Sequence, residues 1–363
     1  MNPNQNPSVT GRNNFLAALS RKTMPGRVPL AEICFWPETL KRWRQEGLPV
    51  GADVYDYFGI DKIFIHYPFD GSLLLEPRVI EDNKDYKVEL NSDGVTMQSW
   101  KTTYAPPSEI DFLIKNHEDW KRLKHRFEIH AERFQKNIEI EFQKATGSNL
   151  LRIVSPFEPL WYVLRTLGFV RALEAMALEP EFIDDMVGTY TDFILSMLQM
   201  LIEKGLKYDG LWFFSDLCYK NGMLFSPRLY QERFQSYHLK IARFCRENRL
   251  LLMLHCDGDV REFLPLLIET GFDCIQPLEA RAGNDVRKLK AEYGTQLCLF
   301  GNINMDILAR GDQGEIADEV ISKVECAKQG GGYVFHSDHS VPPTVSFENY
   351  CLALELAKKH GNY

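Results

Sequence analysis

Beyond a polar stretch at residues 1–10, which reads as a disordered tail, short continuous apolar runs alternate with longer amphipathic ones. The apolar runs cover 28–35, 62–67, 150–155, 210–215, 250–256, 274–278, 296–301 and 332–335. The stretches between them, such as 228–248, 260–270 and 316–328, repeat their apolar residues at the spacing of helix turns. A strand with no polar alternation suits a parallel sheet covered on both faces. Strand followed by helix, repeated eight times, predicts an α/β fold of the (β/α)8 TIM-barrel type. An open doubly wound sheet is the alternative.

One region departs from that rhythm. Residues 75–105 alternate charged and apolar positions around Asn91-Ser92-Asp93-Gly94, the pattern of a β-hairpin with its turn at Asp93-Gly94. It is expected as an insertion that covers the barrel mouth. Residues 108–145, rich in Lys, Glu, His and Phe, read as one or two surface helices. The whole of 11–363 is expected to be one barrel domain.

Composition narrows the function classes. A net charge of −8 argues against a duplex nucleic-acid binder, which needs a basic stripe to neutralise phosphates. There is no long apolar run of the kind that crosses a membrane, and the first residues, Met1-Asn2-Pro3-Asn4-Gln5, lack the pattern of a signal peptide. The eight cysteines form no CxxC pair and several sit inside apolar runs, as reduced thiols packing like small hydrophobes do. A cytoplasmic protein acting on a small molecule is the expectation.

In a barrel of this kind chemistry collects where strands end. The fourth run ends Ser215-Asp216-Leu217-Cys218-Tyr219-Lys220 and the fifth His255-Cys256-Asp257-Gly258. The sixth ends in Glu279, the seventh in Gly301-Asn302 and the eighth in His336-Ser337-Asp338-His339. His255 and Asp257 share one face of an extended segment, since side chains alternate with period two. Asp338 or His339 from across the barrel completes two readings: a divalent-metal site on His255, Asp257 and Asp338, or a hydrogen-bonded His–Asp pair with no metal. Asp257 and Asp338 also read simply as helix caps. Asp216, Lys220, Glu279 and Asn302 are candidate substrate contacts, or members of a mouth ion-pair network. Trp36, Tyr67, Phe157, Trp161 and Tyr219 follow strand ends and offer an apolar wall.

Several segments carry a family resemblance. They are Arg27-Val28-Pro29, Glu38-Thr39-Leu40-Lys41-Arg42-Trp43, His255–Gly258, Gly271-Phe272-Asp273, Pro277-Leu278-Glu279, Leu299-Phe300-Gly301-Asn302-Ile303 and Ser346-Phe347-Glu348-Asn349-Tyr350. In this order they resemble the uroporphyrinogen decarboxylase-like superfamily of TIM barrels, nearest its branch of corrinoid-dependent methyltransferases, over about residues 12–360. Two departures shape what the resemblance implies. The decarboxylases hold their substrate's carboxylates with an arginine-rich loop after the first strand, whereas this chain continues Cys34-Phe35-Trp36-Pro37-Glu38. The thiol-acting methyltransferases bind zinc through a His-x-Cys pair and a later Cys, and the matching positions here are His255, Asp257 and Asp338. Carboxylates in place of thiolates make a harder site, suited to an oxygen or nitrogen donor.

The resemblance therefore implies a methyltransferase component that moves a methyl group between a small O- or N-methylated compound and a corrinoid. Because the chain has no Asp-x-His-x-x-Gly segment, the corrinoid is expected on a partner protein. His255, Asp257, Asp338 and His339 are the candidate catalytic residues, with a divalent metal as the candidate cofactor. A homodimer is a common state among such barrels. A decarboxylase or lyase acting on a small acid, and a non-catalytic ligand-binding barrel, are the other two readings.

Overall fold

The computed structural model describes residues 11–23, 25–102 and 105–363; the expected tail at 1–10 lies outside them. Thirteen strands occur among these residues. In chain order they are β1 (Ile63–His66), β2 (Arg78–Asp82), β3 (Tyr86–Leu90), β4 (Val95–Trp100), β5 (Ser108–Phe112), β6 (Leu151–Val154), β7 (Gly210–Phe214), β8 (Cys218–Tyr219), β9 (Gly222–Met223), β10 (Leu251–Cys256), β11 (Cys274–Pro277), β12 (Cys298–Phe300) and β13 (Tyr333–Val334). Seven of them form one parallel sheet in the order β1-β6-β7-β10-β11-β12-β13, with helices between successive strands, as in TIM-like folds.

Seven of the eight apolar runs are thus strands of this sheet. The first is not. Residues 28–35 touch the sheet through single parallel bridges, Leu30 to Phe335 and Phe35 to Val341. Pro29 has no N–H to offer a ladder. The N–H of Leu30 goes to the Asp61 carboxylate at 2.9 Å, and that of Ile33 to the His336 ring at 3.1 Å. Backbone groups bonded to side chains are lost to strand pairing, although the segment still lies against β13 through Ala31 N–H to Phe335 O and Phe335 N–H to Pro29 O.

The sheet carries two apolar layers. Leu151, Ile153, Trp212, Met253, Cys274, Cys298, Phe300 and Val334 pack together on its inner face. The alternate residues Leu211, Phe213, Leu252, Leu254 and Ile275 pack outward against helices. The period of two sorts the faces, so the inward series Leu251-Met253-His255 delivers a histidine to the interior at the strand end. Helix Gly11–Leu19 closes the opposite end: Phe15, Ala18 and Leu19 join the inner cluster. Arg12 pairs at 2.6 Å with Asp209, which immediately precedes β7. The C-terminal strand ends are therefore the free end.

The hairpin expected at 75–105 is the centre of something larger. β2 to β5 form a four-stranded antiparallel sheet, and β5 occupies residues expected to be helical. Residues 103–104, within the expected hairpin, lie outside the described ones. The described remainder of 108–145 is helical from His117 onward, in short segments ending with Ile138–Gly147. All eight cysteines are free, and Cys218, Cys245, Cys256, Cys274 and Cys298 are buried. Among the described residues no helix is long and apolar enough to cross a membrane.

Candidate active site

Register sets the centre of the site. In the sheet ladder His255 on β10 lies beside Phe214 on β7 and Gln276 on β11. All three point inward, so the His255 ring stacks on Phe214 with centroids 4.8 Å apart, and its Nδ1 meets the Gln276 side-chain oxygen at 2.6 Å. An amide oxygen accepts only, so Nδ1 is the donor in this contact and Nε2 faces the cavity. Near Nε2 stand two carboxylates, Asp216 Oδ1 at 3.7 Å and Asp257 Oδ1 at 3.9 Å. His339 Nε2 approaches the other Asp257 oxygen at 3.5 Å.

The loop after β10 is shaped to hold Asp257 there. Gly258 has φ of 87°, and a Cβ on it would lie 2.6 Å from the backbone of Tyr219, so only glycine fits the approach to the β8–β9 hairpin. The Gly258 N–H donates to Glu279 at 3.0 Å, and the Asp257 N–H to Asp216 at 3.1 Å. Asp257 Oδ1 itself is buried with no hydrogen-bond partner. Burial, reinforced by the negative Asp216 and Glu279 and opposed by His255 and His339, raises the Asp257 pKa. The carboxyl is thus biased toward holding a proton.

Asp216, His255 and Asp257 offer ligand atoms all within 4.8 Å of one another. The third member of this group is Asp216, expected only as a substrate contact, and not Asp338. Asp338 is turned away: its oxygens accept the backbone N–H of Met305 at 3.0 Å and of Ala280 at 3.1 Å, tying three loops together. Asn302 is also committed to the scaffold. Its Oδ1 accepts from Val286 N–H, and its Nδ2 donates to the carbonyls of Leu278 and Asn284. Both residues are buried and spend these hydrogen bonds on the scaffold. Lys220 is exposed at the tip of the β8–β9 hairpin, and the Tyr219 side chain is half exposed beside it.

Two spaces meet at Phe214. A cleft of about 210 Å3 is lined by His255, Asp257, Gln276, His336 and His339. A larger chamber of about 640 Å3 is lined by Tyr67, Phe157 and Phe214 from the strand ends, and by residues 91–93 from the turn of the inserted sheet. Two of the five expected wall aromatics, Tyr67 and Phe157, do line it. Trp36 and Trp161 instead sit half-buried at the start of the helices Pro37–Glu46 and Pro159–Leu167.

The profile of the uroporphyrinogen decarboxylase (URO-D) family matches residues 146–360, which include every residue of the Asp216–His255–Asp257 group. No curated protein matches the chain. Among solved structures, a methyltransferase from Methanosarcina mazei superposes with a TM-score of 0.64 at 16% identity. The match covers 97% of this chain and 99% of that one. At that identity the likeness speaks for the fold.

Proposed function

The chain belongs to the uroporphyrinogen decarboxylase family, and from that premise we propose that it is a methyltransferase component exchanging a methyl group between an O- or N-methylated small compound and a corrinoid on a separate protein. The observation that carries this reading is the unpartnered, buried Asp257 oxygen near His255 Nε2, beside Asp216. A methyl ether or amine does not surrender its methyl group unless the departing oxygen or nitrogen is protonated or coordinated as the bond breaks. A carboxyl whose pKa is raised by burial, at the edge of a cleft, serves the first requirement.

The same three side chains fit a divalent cation: one imidazole lone pair, two hard carboxylates and an oxygen without a hydrogen bond. Such an ion, held by Asp216, His255 and Asp257, would polarise the departing heteroatom. Gln276 fixes the ring that offers the lone pair, as partners behind metal-binding histidines do. The corrinoid supplies the nucleophile that accepts the methyl group. In the alternative without such an ion, the chain's own residues bind the donor, exclude water and deliver a proton from Asp257 to the departing atom.

Decarboxylation of a porphyrinogen is disfavoured. The stretch Cys34-Phe35-Trp36-Pro37-Glu38 carries no cation, and neither does the wall of the 640 Å3 chamber, so a substrate with many carboxylates would find no counter-charge. The Leu30–Phe335 bridge favours an eight-membered ring of strands with 28–35 as its irregular member. We take the protein to be cytoplasmic, in keeping with its thiols, and 11–363 to be one domain.

The test incubates the protein with cob(I)alamin and a panel of methoxylated and N-methylated compounds, reading demethylated product and the cobalamin spectrum, with metal content measured in parallel. Release of demethylated product supports the reading. Carbon dioxide from a small acid, with every methyl donor left intact, would overturn it in favour of a lyase.

A further inference from the structure

We propose that the 640 Å3 chamber beside His255 selects a positively charged donor, a methylated ammonium compound rather than a neutral ether or an acid. The proposal rests on the methyl-transfer reading for its consequence, but not for its evidence, which is the chemistry of the wall. Five aromatic rings line the chamber: Tyr67, Phe69, Phe157, Tyr190 and Phe214. Ring faces carry negative potential, and an alkylated ammonium that cannot donate hydrogen bonds is the ligand such a wall favours.

Two carboxylates add to that field. Asp93 projects from the turn between β3 and β4, and Asp70 lies on the loop after β1. Asp93 Oδ1 accepts from the Tyr162 hydroxyl at 2.8 Å and from Leu73 N–H at 3.2 Å, while Oδ2 has no hydrogen-bond partner among the described residues. No Lys, Arg or His is among the residues that line the space. The nearby guanidinium of Arg133 stands behind the wall, donating to the backbone carbonyls of Asp70 and Ser72 at 2.9 Å and of Glu128 at 3.0 Å. It therefore holds the loop in place and does not line the chamber. An anion entering here meets two carboxylates among five aromatic side chains and no lining cation, whereas a cation meets complementary charge.

Position ties the chamber to the chemistry. Phe214 is the shared wall between the chamber and the small cleft, and the His255 ring lies flat against it. When its methyl group goes, an ammonium seated beside Phe214 leaves as a neutral amine, so this donor class needs no proton from Asp257. The inserted sheet contributes the turn at Asn91, Ser92 and Asp93 that completes the wall.

The test measures binding to the whole chain by calorimetry with three probes of one shape: choline, its neutral analogue 3,3-dimethylbutan-1-ol, and 3,3-dimethylbutanoate. Choline is expected to bind at least about tenfold more tightly than the alcohol, and the acid not to bind. Asp93→Asn should remove most of choline's advantage while leaving the alcohol unchanged. Asp70→Asn, at an exposed position, repeats the test where no loss of folding is expected. Equal affinity for choline and the alcohol, or tightest binding of the acid, overturns the proposal. The two claims separate cleanly. Transfer from a neutral methyl ether with no preference for choline leaves the methyltransferase reading standing and removes this one. A choline preference that persists in His255→Ala, with no transfer from any donor, does the reverse.

Discussion

Two acid–imidazole clusters stand at the same end of the sheet, and they differ in whether their hydrogen bonds are complete. In the first, buried beneath the cleft, Glu32 lies 3.0 Å from His336 Nε2, 2.7 Å from Ser337 Oγ and 3.2 Å from the Tyr350 hydroxyl. His336 Nε2 accepts from Ile33 N–H, so its proton sits on Nδ1, facing the Ser337 carbonyl. The Ser337 hydroxyl also bonds the His339 carbonyl, which accepts only. One hydroxyl has one proton to share between the His339 carbonyl and the Glu32 carboxyl. Burial pushes the Glu32 pKa up to about 8 and that of His336 down to about 3. In the second cluster Asp257 Oδ1 has no partner, and three ligand-type groups face open space. The same residue types, a few residues apart, thus serve as a closed joint and as an open site. Partner count separates the two, whereas residue identity does not.

The largest expected effect breaks the open cluster. Asp257→Asn keeps the shape but cannot hold or deliver the proton, and methyl transfer from a donor that needs that proton should fall by about a hundredfold or more. The thermal midpoint should hold or rise, because one of two neighbouring carboxylates is gone. Full activity in this variant would return Asp257 to the status of a loop residue. The matching change in the scaffold has the opposite signature. Asp338→Ala leaves the N–H groups of Met305 and Ala280 without their acceptor, at a cost of about 2–4 kcal/mol in urea unfolding. If stability survives and transfer is lost, Asp338 belongs to the chemistry after all.

A pH experiment sharpens the same contrast. The unfolded Glu32 releases its proton near its ordinary value of 4.5, whereas the folded one keeps it to about 8, so the unfolded state binds fewer protons between those values. Stability from this group is complete below pH 4.5 and declines as pH rises toward 8. His336 opposes it below pH 6.5, where the unfolded ring takes up a proton that the folded ring refuses. Asp338, raised to about 6 by burial, has lost most of its proton by then. Between pH 6.5 and 8, Glu32 acts with the least opposition, and the decline should be about 2 kcal/mol. Glu32→Gln should flatten that part of the curve; an unchanged slope would show that another group is responsible.

The sheet was legible because its interior strands have no polar alternation, and the site because strand ends in such a barrel gather ionisable groups. His255 and Asp257 followed from period two alone. The choice between Asp216 and Asp338 did not, because both are carboxylates just past a strand end. What separates them is whether loops far away in sequence, at Ala280 and Met305, supply backbone N–H groups. Asn302 has the same history, absorbed by the loop at Leu278–Val286. The irregular first run has its cause in Pro29 and in Asp61, the latter about thirty positions on. Of the chamber, Tyr67, Phe157 and an insertion over the mouth were legible; the rest was not, since its outer wall depends on where a four-stranded insertion folds back.

Gln276 is the smallest test, and it joins the open cluster to the sheet. It was overlooked as a polar residue in a short apolar run, yet the inward series Cys274-x-Gln276 and the register with His255 place it beside the ring. Its effect acts through orientation alone. Gln276→Met fills the same volume without an acceptor, so the ring loses its hold on Nδ1 while Phe214 still supports its face. The expected loss in transfer or in metal affinity is about tenfold, well below that of Asp257→Asn, with little change in stability. Gln276→Glu restores an acceptor at the same distance and should recover most of the loss. A structural filler would respond to volume and not to the acceptor, so Met behaving like wild type would mean that the ring is held by Phe214 alone.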